Sequence, residues 1–342
     1  MKIAILRDHN PESSKKWEVA CEKMQVEFQV INMLRSDWIS KIESFSPDFC
    51  VSRPPGEIQN NKKIFDEKLF FLEKHLSYSI FPGFLATYIY ENKSALNWFL
   101  ETNSIPHPKT FVSADKEEAF DYIKNTSLPV VAKTLIGAAG SGVKIFHSRK
   151  EANQYIQKAF STGIKRRFGP NRKTGTPTGW LKKALKSPDY FFKKLKQYKE
   201  RNQDFQKNIV LFQEYIPHDY EWRIVKIGKS YFAYKKLKIG EMTSGSKQFE
   251  YGPPPMELLD FTNNLCESHD FSFMTVDVFY SNGQIYVNEL QTIFGHKKPY
   301  ICKVNDKPGR YFSQNGQWIF EEGEFNTNES YDLRLETAIE LF

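Results

Sequence analysis

The stretch "FMTVDVFYSNGQIYVNELQ", residues 273–291, carries β-branched and aromatic residues on either side of Ser-Asn-Gly. That pattern reads as a β-hairpin turning at Asn282-Gly283. Its chemistry sits in Asp277, Glu289 and Gln291. Two carboxylates and an amide oxygen on neighbouring strands are hard ligands suited to Mg2+. Register decides whether they can act together. A three-residue loop at 281–283 puts Asp277 and Glu289 on one face, and a two-residue loop puts them on opposite faces. The pairing therefore requires the odd loop length or a bulge.

Working outward, "RIVKIGKSYFAYKKL" (223–237) reads as another hairpin, over Gly228 and Lys229. Before it, "FQEYIPHDYEWR" (212–223) is a strand running into an acidic turn. Backbone groups there can read an adenine edge, and Asp219 or Glu221 can accept from ribose hydroxyls. Further upstream, "VVAKTLIGAAGSGV" (130–143) is strand, glycine-rich loop, strand. Lys133 lies on the strand, with Gly137, Gly140, Ser141 and Gly142 in the loop. Glycines let backbone amides approach anionic oxygens, and a strand lysine adds fixed charge. The loop is neither a P-loop nor a dinucleotide fingerprint, because GxxxxGK[ST] is absent and no helix opens after it.

The chain begins with "IAIL" (3–6), a buried strand, then a helix near 13–23 and strands at "VEFQVINM" and "FSPDFCVSRPP". This order implies a small parallel αβ layer over roughly residues 1–85. Arg53, in "SRPPG", falls at the carboxyl end of a strand, where open αβ sheets bind ligands. An amphipathic helix follows at 92–104, then a proline-broken connector and a strand–helix unit with Ser113 as N-cap.

The 342 residues are 40% hydrophobic and 26% charged, a globular composition without disordered or fibrous bias. Net charge is +7, concentrated in one segment. Between positions 165 and 201 stand thirteen Lys and Arg against two acids, a net +11, which leaves the remainder at −4. Cys21, Cys50, Cys266 and Cys302 have no CxxC or zinc-ligand spacing, which suits a reducing compartment. "MKIAILRDHN" reads as a strand rather than a leader, and no window reaches about 18 apolar residues. A cytoplasmic location is the expectation.

The ordered set resembles the ATP-grasp family: strand lysine, glycine loop, Q-E-Y-I strand end, acid-x-Arg, and D-x11-E-x-Q in a hairpin. The resemblance runs from about residue 92 to 295, interrupted by the basic segment. It implies an α/β protein with an N-terminal αβ pre-ATP-grasp domain (1–90) and a two-lobed ATP-grasp fold (91–342). The lid subdomain is expected at about 108–212, holding a basic helical insertion at 166–204, and the catalytic lobe at about 213–342. By the same resemblance Lys93 is the first ATP lysine and Lys133 the second, with Gly137, Gly140, Ser141 and Gly142 closing over the γ-phosphate. Glu214, Tyr215 and Ile216 are the hinge at adenine. Glu221 is the ribose acid, with Asp219 in reserve. Lys235 and Lys236 occupy the place where members often put a basic residue facing phosphate or substrate, and Asp277, Glu289 and Gln291 match the magnesium ligands; Arg223 and, from its strand-end position, Arg53 are further catalytic candidates. Many members have Asn in place of Gln291, so the chain departs from the pattern there.

Members typically make an acyl phosphate from a carboxylate and ATP, which an amine then attacks. The resemblance thus implies ATP and Mg2+ as cofactors and a carboxylate and an amine as substrates. A kinase of this fold acting on a phosphorylated small molecule and a non-catalytic binder of this fold are the alternatives. Many members dimerise, which leaves a homodimer open. In the basic segment, Ser187, Pro188 and Asp189 start a helix whose face carries Phe191, Leu195 and Tyr198. Trp180, Leu181 and Leu185 line a shorter helix before it. Such an amphipathic basic hairpin suits an anionic polymer, a glycan or the inner membrane surface, as in envelope polysaccharide modification. No nucleic-acid module surrounds it, so specific nucleic-acid binding is not expected.

Overall fold

A computed structural model describes residues 1–137, 140–166, 200, 203–240, 242–243, 248–281 and 283–342; of Ile239, Met242 and Thr243 only the backbone is described. The helices expected within 166–204 and the turn residue Asn282 lie outside the described residues. Contact density divides the chain into two units. The first comprises Met1–Pro55, Asn60–Pro108 and Ile216–Phe342, and the second Gly56–Gln59 and Lys109–Tyr215.

In the first unit the amino-terminal elements are β1 (Lys2–Arg7), α1 (Lys15–Lys23), β2 (Glu27–Asn32), α2 (Trp38–Phe45), β3 (Phe49–Ser52), α3 (Gln59–Lys74), β4 (Ile80–Phe81), α4 (Phe84–Ile89) and α5 (Lys93–Thr102). The four strands are parallel, in the order β2-β1-β3-β4. Their interior reads as unbroken apolar runs because both faces are covered. Ala4, Leu6 and Cys50 pack against α2 and α3 on one face. Ile3, Ile5, Phe49 and Val51 face the other way, into a core shared with the carboxyl-terminal elements.

The second unit begins with β5 (Thr110–Ser113), α6 (Lys116–Asn125), β6 (Val130–Lys133), β7 (Val143–Phe146) and α7 (Arg149–Ala159). A short ladder, β8 (Ile164–Lys165) with β9 (Phe205–Gln206), and then β10 (Val210–Glu214) complete it. Four strands form an antiparallel sheet, β5-β10-β6-β7, one face of which packs on Ile123, Ala152 and Ile156 of the two helices. The lid subdomain was expected at about 108–212, in the stretch that the Lys109–Tyr215 run of this unit occupies.

The first unit resumes with β11 (Tyr220–Ile227), β12 (Ser230–Ile239), β13 (Met242–Thr243), β14 (Phe249–Glu250), α8 (Met256–Ser268), β15 (Phe273–Ser281), β16 (Gln284–Gln291), β17 (Cys302–Val304), β18 (Lys307–Gln314), β19 (Gln317–Glu322) and α9 (Tyr331–Leu341). They build a nine-stranded sheet around the path β16-β15-β11-β12-β18-β17. The β11–β12 hairpin closes over Gly228 and Lys229, with Ile227 paired to Ser230. Gly228 sits at φ 55°, and a Cβ there would come within 2.9 Å of Thr337 Oγ1, so a side chain would be both strained and crowded.

One local expectation is corrected. Asp115, not Ser113, caps α6, accepting from the N–H groups of Glu117 (2.8 Å) and Glu118 (3.0 Å). Ser113 still belongs to β5, and its hydroxyl accepts from the Asp115 N–H at 2.9 Å. A carboxylate that takes two orphan donors near the positive helix end outcompetes a hydroxyl two residues earlier. Asp115→Ala should therefore lower stability by about 1 kcal/mol, read as a drop in urea midpoint without a change in slope. An unchanged midpoint would show that the cap contributes nothing.

Candidate active site

The centre of the nine-stranded sheet carries a charged cluster in an apolar surround. Asp277 on β15 pairs across to Arg223 on β11 and to Glu289 on β16. Ser281 pairs with Gln284, so the hairpin loop has two residues, and the register should set Asp277 and Glu289 on opposite faces. A bulge restores them. Asp277 opposes Glu289 while Val278 opposes Val287, which leaves Asn288 as the extra residue. Glu221, Arg223, Lys236, Asp277, Glu289 and Gln291 then share one face of four adjacent strands.

Asp277 is fully buried. Arg223 grips it with two parallel bonds, Nε to Oδ1 and Nη2 to Oδ2, both 2.7 Å. Lys236 Nζ donates to Asp277 Oδ2 at 2.8 Å and to Glu221 Oε2 at 2.7 Å. Gln291 Oε1 accepts from Arg223 at 3.0 Å, and Asn288 donates to Glu221 at 3.3 Å. Beside this group, Lys93 at the start of α5 lies 3.2 Å from Glu91 and 4.0 Å from Glu289. Burial alone pushes the Asp277 carboxyl up, but Arg223 and Lys236 outweigh it and hold it at about 2. The same pairing raises Lys236 and Arg223 against the downward pull of burial. Asp277, Arg223 and Lys236 are thus held in their charged forms by one another.

In the second unit Lys133 ends β6, paired with Val143 of β7. The loop between them is pinned at both ends, Thr134 N–H to Gly142 O at 3.1 Å and Val143 N–H to Gly140 O at 3.2 Å. A Cβ on Gly142 would sit 1.8 Å from Thr134 Oγ1, so only glycine fits. Gly140 is left-handed at φ 67°, a conformation that suits an anion-accepting turn. Glu214 at the end of β10 accepts from the Lys109 N–H at 2.7 Å.

No family model matches the chain. A stretch of 124 residues is 27% identical to the α-aminoadipate–LysW ligase LysX of Saccharolobus solfataricus, covering 35% of this chain. The chain thereby spans 42% of that relative's length. Among solved structures, a RimK-domain ATP-grasp protein of Sphaerobacter thermophilus superposes with TM-score 0.54 at 15% identity, over 85% of this chain and 90% of that one. The D-alanine–D-alanine ligase of Bacillus anthracis complexed with ATP gives TM-score 0.56 at 15% identity, over 99% and 96%. The chain has the ATP-grasp fold.

Within that fold the expected site residues sort by face. Lys236 joins the cluster, whereas Lys235 projects from the opposite face, over the rings of Tyr220 (4.7 Å) and Trp222 (5.4 Å) and 3.1 Å from Glu250. Glu221 is buried, with its carboxylate engaged by Lys236 and Asn288, while Asp219 is exposed. The chain passes from the second unit to the first between Tyr215 and Ile216, inside the expected hinge. Arg53 follows β3 and lies outside this cluster, half-buried at the edge of the parallel sheet. Two members went unread in the sequence, Asn288 and Tyr234, whose hydroxyl lies 3.5 Å from Arg223. The sequence called for an odd loop or a bulge without locating it, and strand pairing makes Asn288 the extra residue.

The donor set suits magnesium in kind, being two carboxylates and an amide oxygen with no soft ligand. Glu289 is the half-buried carboxylate of the set, and both oxygens of Asp277 already accept from cations. Among the described residues no group of three or more His, Cys, Asp or Glu gathers as a metal site.

A depressed carboxylate stabilises the fold above its unfolded value, and that contribution fades as pH falls through the folded one. For Asp277 the window runs from about pH 4 down to about 2. Asp277→Asn should cost about 3–5 kcal/mol at neutral pH, because Arg223 and Lys236 stay buried without their counter-charge. Urea titrations from pH 7 to 2 should show this loss, together with a shallower decline below pH 4. Wild-type stability at neutral pH would contradict the pairing.

Proposed function

We propose that the protein is an ATP- and Mg2+-dependent ligase that activates a carboxylate as an acyl phosphate and joins it to an amine. The observation that carries this reading is the bulge-set register of Asp277 and Glu289, which gathers Arg223, Lys236 and Gln291 on one face of an ATP-grasp sheet. A phosphoryl transfer asks the protein for position and charge more than for a nucleophile. In this reading the half-buried Glu289 would hold magnesium, with Asp277 and Gln291 completing the set only by giving up bonds from Arg223 and Lys236, and the ion would neutralise phosphate oxygens when bound.

Arg223 and Lys236 place fixed positive charge where the transferring group develops negative charge. Glu221 and Asn288 orient Lys236 for that task. Lys93 and Lys133 meet the nucleotide phosphates, and the loop containing Gly137, Gly140, Ser141 and Gly142 covers them. Glu214, Tyr215 and Ile216 receive adenine. Asp219, being exposed, is the better placed of the two acids for a ribose hydroxyl. In this reading the lid expected at about 108–212 would exclude the water that otherwise hydrolyses the acyl phosphate.

The acceptor reading rests on charge. The segment between 165 and 201, net +11, favours an anionic polymer, a glycan or a membrane surface. At its base β8 pairs with β9, and Arg166 reaches the Asp204 carboxylate and the Glu57 carbonyl. The two ends of the segment therefore leave from one closed stem. Among the described residues, no helix is long and apolar enough to cross a membrane.

Incubation with ATP, Mg2+ and pooled carboxylates and amines should release ADP with a product of amide mass. Lys133→Ala should slow that release on the order of 100-fold. Excising 168–202 through a short linker, with the stem retained, should leave ATP binding intact and reduce turnover on the anionic acceptor. A phosphorylated product in place of an amide would assign a kinase, and loss of ATP binding on excision would place the segment in the nucleotide site.

A further inference from the structure

Three arginines converge at the carboxyl end of the parallel sheet. Alternation along β1 puts Arg7 on the face of Ile3 and Ile5, and alternation along β3 puts Arg53 on the face of Phe49 and Val51. Leu6 pairs with Ser52, and the Arg53 N–H donates to Leu6 O at 2.8 Å. The ladder thus sets the two arginines side by side where the strands end. Arg334 enters the same core from α9. Its guanidinium lies over the rings of Phe273 (4.2 Å), Tyr331 (4.5 Å) and Phe294 (4.8 Å), and its Nε donates to Ser330 Oγ at 3.1 Å.

Arg334 is only 1% exposed, yet its Nη2 has no hydrogen-bond partner. The Nε of Arg7 is likewise buried and unpartnered. None of the three arginines forms an ion pair among the described residues. The nearby carboxylates act on the arginines through charge at a distance, Asp8 on Arg53, Glu18 on Arg7 and Glu329 on Arg334, but spend their direct bonds elsewhere. Asp8 holds Asn10 and Ser13 of its own loop, Glu18 pairs with Lys15, and Glu329 lies 3.5 Å from Lys16. Burial pushes the Arg334 guanidinium down to about 10, and the charge on Arg53 acts in the same direction. A buried cation with no directly paired carboxylate is costly, and a bound anion would offset that cost.

We propose that Arg53 and Arg334, with Arg7 beside them, form a binding site for a small anionic group, a carboxylate or a phosphate. Arg53 is the half-buried, approachable member, and Arg334 supplies the unfilled donor behind it. Guanidinium forks match both oxyanions in bidentate geometry. The carboxyl edge of an open parallel sheet is where such ligands dock. In the ligase reading, the group belongs to a substrate and is distinct from the carboxyl that is activated; only that clause rests on the proposed function.

The test needs no turnover. Inorganic phosphate and succinate are titrated separately into the intact protein by calorimetry at constant ionic strength. Saturable binding of one of them identifies the group. Arg53→Gln should weaken it about tenfold or more, Arg53→Lys should recover part of the loss, and Lys133→Ala should leave it unchanged. Arg334→Met should abolish it; if that variant does not fold, Arg53→Gln decides. No saturable binding of either anion, or binding that survives Arg53→Gln, overturns the site. Loss with Lys133→Ala alone places the anion among the nucleotide phosphates and overturns it equally.

Discussion

Asp277 is the residue on which the rest of the site depends. Its carboxylate is fully buried, and burial of a lone carboxylate is prohibitively expensive. The bidentate bond from Arg223 and the bond from Lys236 offset that cost. Each of those cations is itself buried and finds its counter-charge in Asp277, with Glu221 as a second partner for Lys236. The network is therefore all or none: it positions every member, and it loses several kcal/mol if one is removed. Rigid, permanently ionised groups of this kind suit a site whose work is to meet developing charge without reorganising.

A single extra residue makes that network possible. Without the bulge at Asn288, the two-residue turn would send Glu289 and Gln291 to the face occupied by Trp222 and Ile224. The surrounding core holds the register in place. Ile224, Phe232, Val276 and Leu290 join Ile3, Phe49 and Val51 of the parallel sheet and Leu335 of the terminal helix in one apolar cluster. The amino-terminal layer and the nine-stranded sheet thus share one compact unit, although the stretch from Lys109 to Tyr215 separates them in sequence.

Much of this was legible in the sequence because period and turn chemistry are local. The hairpins at 223–237 and 273–291, the parallel layer and the glycine loop all follow from alternation and glycine placement. The register condition on Asp277 and Glu289 was also legible, as a choice between loop and bulge; the structure takes the bulge. What was hidden depends on tertiary neighbours. Lys235 and Lys236 are indistinguishable by type, and only strand pairing sends one to Asp277 and the other over Tyr220. Asp115 and not Ser113 is the cap because its carboxylate reaches the N–H groups of Glu117 and Glu118, while the Ser113 hydroxyl takes the Asp115 N–H. Arg334 gave no signal at all, since the aromatic rings around it come from distant elements.

The central claim is that a carboxylate is activated by ATP at this cluster, and trapping the activated species tests it most directly. The protein is incubated with ATP, Mg2+, a panel of carboxylic acids and hydroxylamine, and hydroxamate is measured against ADP. The account predicts hydroxamate in step with ADP for at least one acid, and neither product above background in Glu289→Ala. ADP formation without hydroxamate across the panel, with phosphate found on another acceptor, would contradict it.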